Sequence, residues 1–161
     1  MSQAGTLREV MRTYPQGVVV VTAEGKEGPR GITVSSFLSV SLTPPRVLVS
    51  IGTESRAHEA IDRGQFLVNI LADDQSAISH RFAQPSLTSE EQFRALTVEG
   101  TPPRIAGCLS YLHCRVVERV PAGDHTLFIG EVDSAEIGKE GKPLVYFSRD
   151  YWRLLAPVPE R

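Results

Sequence analysis

Thr33, Ser35, Ser36, Ser39 and Ser41 carry hydroxyls along residues 31–41, a stretch otherwise rich in apolar and β-branched side chains. An ordinary core strand puts apolar groups at such positions, so this one reads as a strand lining something polar. Hydroxyls beside free backbone N–H groups at a strand end can hold a phosphate, or the polar edge of a planar ring, without carrying net charge. A surface strand with serines on its wet face has the same composition. After Pro44 and Pro45, residues 46–52 are expected to pair with this stretch.

The other chemistry-bearing residues narrow the field by what they lack. No G-x-G-x-x-G follows a strand, and neither a P-loop nor a G-x-S-x-G elbow is present. His58, His80, His113 and His125 have no metal-ligand spacing. Cys108, His113 and Cys114 could suggest zinc, but neighbouring strand residues point to opposite faces. Six residues apart in one strand, the two cysteines would lie about 20 Å apart, beyond disulfide reach, and read as packing residues. No nucleophile or carboxylate pair stands out, so chemistry here belongs to a cofactor.

The elements that must position these groups follow from periodicity. Leu7, Val10, Met11 and Tyr14 recur at helical spacing until Pro15 and Gly17 stop the pattern. Residues 17–23 form a nearly continuous β-branched run, expected to be a strand buried on both faces, with a hairpin loop over 24–30. The segment Thr53-Glu54-Ser55-Arg56 has N-cap chemistry for a short helix over 57–63 that Gly64 ends. Residues 66–71 read as a strand, and Asp73, Asp74 and Gln75 open a second helix with acids at its positive end. Residues 84–100 are polar without clear period and read as a surface excursion. Residues 108–120 read as a long strand, 121–124 as a turn, 125–132 as its partner, and 144–147 as a last strand. Five or six strands, two or three short helices and no β-α-β alternation indicate an antiparallel barrel with helical decoration.

With 161 residues, 41% hydrophobic and 22% charged, the chain is expected to be one domain with its core over about residues 7–155. A formal charge of −2 without a basic run argues against a nucleic-acid partner. No stretch suits a membrane helix, and residues 1–13 lack the apolar centre of a signal peptide, so a cytoplasmic location without membrane contact is expected.

Several segments, in order, resemble one family: 17–22, 31–37, 39–42, the Pro44-Pro45 pair, 69–71, 123–132 and 147–151. The family is the short-chain flavin reductases, the reductase components of two-component flavin monooxygenases. The resemblance implies a split β-barrel homodimer that reduces FMN or FAD with NADH or NADPH and releases reduced flavin to a separate oxygenase. It implies that Thr33, Val34, Ser35 and Ser36 contact the isoalloxazine edge and ribityl chain, with Ser50, Ile51 and Gly52 on the adjacent strand. Ser55 and Arg56 match the helix start that receives the phosphate. Arg81 and Phe82 match a second flavin-contacting pair, whereas a solvated helix face also explains Arg81. His125 matches a residue on the nicotinamide side, and Tyr151 an aromatic that closes the pocket, a part the adjacent Trp152 could also serve. Family members differ at Ser35, and the loops around 84–89 are not diagnostic of an adenylate half, so FMN is expected with FAD open.

Two other readings use the same barrel. A non-catalytic flavin- or haem-binding module would need no polar group at a hydride face, which makes His125 the discriminating residue. A pyridoxamine-phosphate oxidase would need a tighter Arg and Lys cluster than this sequence contains.

Overall fold

Residues 18–22 are β-branched throughout and have no polar face to turn to water, and all of them are buried. They define the architecture of the computed structural model, which describes residues 2–157. The elements run α1 (Gln3–Met11), β1 (Gln16–Gly17), β2 (Val19–Gly25), β3 (Gly28–Val34), β4 (Phe37–Leu42), β5 (Pro45–Gly52), α2 (Arg56–Asp62) and β6 (Gln65–Ile70). They continue with α3 (Ser76–Phe82), α4 (Ser89–Phe93), β7 (Val98–Glu99), β8 (Arg104–Ile105), β9 (Ser110–Ala122), β10 (His125–Ile137), β11 (Leu144–Phe147) and β12 (Asp150–Arg153).

Seven strands form one antiparallel sheet in the order β3-β2-β6-β9-β10-β5-β4. Its two edge strands, β3 and β4, follow one another in sequence through a corner at Ser35 and Ser36 and do not pair with each other. There Ser50 N–H donates to the Ser36 carbonyl (3.2 Å), and Ser36 Oγ donates to the Ser50 carbonyl (2.9 Å). The result is a mainly β, split-barrel architecture with short helices, as expected. β11 joins β1 and β12 in a smaller sheet.

Alternation along β2 and β6 feeds two cores. Val19, Val21, Ala23, Phe66 and Val68 face the barrel interior with Val49, Ile51 and Phe128. Val18, Val20, Leu67 and Leu71 face the other way, against Phe82, Ile105, Cys108 and Leu144. Each strand therefore seals two regions at once.

Five local expectations are corrected. The strand over 31–41 is two strands: a bend at Ser35 and Ser36 lets β3 pair with β2 and β4 with β5. The stretch 84–100 contains α4, closed by a capping box in which Thr88 Oγ1 accepts from Glu91 N–H and Glu91 Oε2 accepts from Thr88 N–H. No acid lies in the first turn of α3, because the helix begins only at Ser76, with Gln75 as N-cap; Asp74 pairs instead with Lys139 (2.7 Å) and Asp73 with Arg153 (3.5 Å). Cys108 precedes β9, its N–H donating to Tyr111 Oη, so the two thiols occupy different cores and not one strand. A last hairpin strand, β12, follows a turn in which Ser148 and Arg149 take positive φ. Among the described residues, this brings the totals to twelve strands and four helices.

Candidate functional site

β3 carries the site because both of its ends border open space. Its start, Arg30 to Ile32, walls a cleft of about 310 Å3 completed by Glu54, Ser55 and Arg56 at the start of α2 and by Phe82 to Pro85 after α3. Its end, with Thr33, Val34 and Ser35, walls a second cleft of about 320 Å3, closed by His80, Tyr146 and Tyr151. Ala83 lines both, so the two clefts are neighbours along one strand.

Packing fixes the walls. A side chain on Gly31 would place its Cβ 2.5 Å from the Phe82 ring, so only glycine lets α3 approach this closely. Thr33 Oγ1 donates to the Ser79 carbonyl (2.7 Å), and Ser79 Oγ meets Tyr151 Oη at 2.6 Å. These two bonds tie β3, α3 and β12 together around the second cleft. His80 stands edge-on to Tyr151 with ring centroids 4.8 Å apart. Tyr151 lines the cleft, whereas Trp152 turns out to donate its indole N–H to the Phe147 carbonyl (2.9 Å).

The residues singled out in sequence thus divide into groups. Thr33, Val34, Ser35 and Tyr151 line the second cleft, and Ser55, Arg56 and Phe82 the first. Ser36 and Ser50 form the barrel corner through their mutual hydrogen bonds, and Ile51 is buried in the barrel. Arg81 lines neither cleft; its guanidinium donates to the Arg94 carbonyl (2.7 Å) and fastens the segment after α4. His125 also lines neither. It stands opposite Gly52 across the β5–β10 ladder, its Nδ1–H donating to Asp124 Oδ1 (2.7 Å). That bond holds the Asp124 carboxyl below its ordinary range. Thr53 N–H donates to the Asp124 carbonyl and Ser55 N–H to the Gly52 carbonyl, which joins the His125 turn to the start of α2.

The helix start itself is less open than expected. Ser55 Oγ accepts from Ala57 N–H (3.2 Å), consuming one of the donors, and α2 has only seven residues. The cations of this cleft are Arg56, which is exposed, and a residue the sequence did not single out, Arg30. Nothing in its local pattern distinguished Arg30 from a charged hairpin residue.

Neither cysteine offers a nucleophile. Burial pushes the Cys108 thiol up to about 11 and Cys114 to about 12, so both stay protonated at neutral pH.

Residues 11–154 match the family described as flavin reductase like domain. The chain belongs to that family. A flavin-reductase relative from Thermus thermophilus, the reductase component of 4-hydroxyphenylacetate 3-monooxygenase, is 35% identical over 93% of this chain and 96% of its own length. An FMN reductase (NADH) from Agrobacterium fabrum is 38% identical over 88% of this chain and 80% of its own. A solved NADH:FAD oxidoreductase from Streptomyces globisporus, in complex with NAD and FAD fragments, superposes with a TM-score of 0.88. It is 34% identical and covers 95% of this flavin reductase and 93% of its own chain.

Proposed function

We propose that this chain is an NADH-dependent reductase of FMN or FAD that passes reduced flavin to a separate oxygenase component. The observation that carries the reading is the pair of adjoining clefts along β3, one walled by hydroxyl-bearing and aromatic residues with Arg149 and Asp150 beside them, the other flanked by Arg30 and Arg56. A flavin nucleotide has the same division between a planar ring and a phosphate. The residues fit that group on a further count: Arg30 Nη1 is buried without a hydrogen-bond partner among the described residues. Flavin, when bound, supplies a ring nitrogen that accepts hydride from a dihydronicotinamide, with a proton taken from solvent.

The chain's own residues bind and orient. Thr33, Val34 and Ser35 present strand backbone and hydroxyls to the ring edge, Tyr151 covers it, and Phe82, packed on Gly31, walls the neighbouring cleft. Arg56 and Ser55 serve the phosphate end. His125, held by Asp124, orients the nicotinamide. On this reading His125→Ala raises the KM for NADH and slows the hydride step, while equilibrium flavin affinity stays nearly intact. Parental reduction kinetics in the variant, or loss of flavin binding, refutes the nicotinamide role.

We also propose a homodimer of one domain, core about 7–155, acting in the cytoplasm where the nicotinamide pool resides. Support for the second copy comes from uncovered apolar surface. Helix α1 buries none of its residues and leaves Leu7, Val10 and Met11 exposed, while edge strand β4 exposes Leu38, Val40 and Leu42. A fully active monomer by light scattering at micromolar concentration removes this element. No described helix is long and apolar enough to cross a membrane.

The test of the function is NADH consumption by the purified chain with and without added FMN or FAD. Marked stimulation by either flavin is expected. Flavin binding without NADH oxidation favours the non-catalytic module instead.

A further inference from the structure

Arg30 is in an unusual state for a charged side chain. Its side chain is only 11% exposed, and its Nη1 is buried with no partner among the described residues. Its nearest carboxylate, Glu27, lies 3.7 Å from Nη2 and is itself 88% exposed, so water screens that attraction. A guanidinium has five donors, and leaving one of them buried and unpaired, as Nη1 is here, is unfavourable. By contrast, Arg104 meets Glu136 with two bonds of 2.6 and 2.7 Å at the surface.

The surrounding structure keeps Arg30 where it is. Helix α4 grips β3 on both sides of it. Ser89 Oγ donates to the Pro29 carbonyl (2.7 Å). Gln92, itself buried, accepts from Gly31 N–H at 3.1 Å and donates to the Gly31 carbonyl at 3.0 Å. The backbone on each flank is thus fixed, and across the cleft stand Ser55, Arg56 and the carboxylate of Glu54. Of the charged groups lining the cleft itself, two are guanidiniums and one, Glu54, is an exposed carboxylate, while Glu27 touches Arg30 from outside the cleft; an added phosphate could engage both guanidiniums.

We infer that Arg30 is a second phosphate-holding cation of the first cleft, opposite Arg56, and that α4 is the clamp that positions it. The inference rests on the flavin reading of that cleft and deepens it, since it makes the site selective for phosphorylated flavins over riboflavin. The phosphate is the terminal ester of FMN or the pyrophosphate of FAD.

The test titrates riboflavin, FMN and FAD into the parent protein, Arg30→Gln and Arg30→Lys, with pyrophosphate-induced shifts in Tm as a flavin-free readout. For Arg30→Gln, FMN or FAD affinity is expected to fall about tenfold to a hundredfold, with riboflavin unchanged within about twofold. Arg30→Lys keeps the charge and should recover part of the loss. A loss confined to FAD places Arg30 at the pyrophosphate; a loss for both places it at the phosphate nearest the ribityl chain. Equal losses for all three ligands, or none, overturn the inference. If Arg30→Gln does not fold, Arg30→Lys decides alone: weakened FMN or FAD with intact riboflavin supports it, and any other pattern overturns it. A parent that binds no flavin refutes the flavin reading; an Arg30-dependent Tm shift with pyrophosphate would then still identify the anion site.

Discussion

The two faces of β2 and β6 solve the same burial problem in different ways. Toward the barrel interior, every buried residue of the cluster is apolar, with Phe66 lying against Gly130, where an added Cβ would come within 2.5 Å of its ring. Toward the clefts, the apolar cluster is crossed by polar ties. Thr22 Oγ1 donates to the Pro103 carbonyl (2.6 Å), and Asn69 donates to the Val20 carbonyl while accepting from Ile105 N–H (2.8 Å). Gln75 accepts from Ala72 N–H and donates to the Ala106 carbonyl, again replacing strand pairing with side-chain bonds. The difference follows from what each face must hold. Long strands satisfy each other's backbone groups, whereas the two-residue β8 with its flanking turns and the short helices present polar groups that side chains reach. A face built from loops can carry clefts, and the barrel gives it a rigid back.

The largest effect expected from breaking this contrast is on the barrel side. Phe66→Ala should destabilise by about 3–5 kcal/mol, read by urea unfolding, because it opens a cavity that close packing cannot refill. A loss below that of the next variant would undo the ranking of the two faces. Asn69→Leu comes second: it strands the Ile105 N–H and should cost about 1–3 kcal/mol, with hydrogen exchange accelerated at Ile105 and not within the barrel. Uniform acceleration would show that the two faces open as one unit. Tyr151→Phe removes only the 2.6 Å bond to Ser79 and is expected to cost about 0.5–1.5 kcal/mol while weakening flavin retention slightly.

A pH-dependent effect, the smallest of the four near pH 9 where it begins, separates the faces through their thiols. Both cysteines have folded values above their ordinary 9.0, about 11 for Cys108 and about 12 for Cys114. Such a group contributes stability in full below pH 9, and that contribution is lost as pH rises toward 11 and 12. A modest fall in Tm above pH 9 is therefore expected, smaller in a Cys108→Ala, Cys114→Ala double variant. Native-state alkylation at pH 8 should be slow, and slower at Cys114 in the barrel than at Cys108. Rapid alkylation of Cys114 would mean that the barrel interior is the wetter region.

The same contrast explains how much could be read in advance. Barrel strands announce themselves because alternation and β-branching are properties of consecutive residues: 66–71 and the turn at Gly123 and Asp124 match the observed bounds within a residue or two, whereas 17–23 divides between β1 and β2 and the strand from His125 runs on to Ile137. Helix α4 had a local signature, Thr88 three residues before Glu91, but its short length and polar surroundings hid the apolar partners, Phe93 and Leu96. The break at Ser35 and Ser36 had no local signature, since the same serines suit a continuous strand and a corner. Arg30 had none either: its burial comes from α2, α3 and α4 converging on one hairpin.

By itself, the sequence determined the class of the fold, the family and the chemistry that family performs, because these depend on pattern and order along the chain. Only the tertiary structure decided that β3 walls two clefts, that Arg81 is fastened to the Arg94 carbonyl, that His125 stands apart beside Asp124, and that Arg30 joins Arg56. Those outcomes turn on which distant segments compete for one buried guanidinium, carbonyl or ring, and that competition is settled by packing in three dimensions rather than by neighbours in sequence.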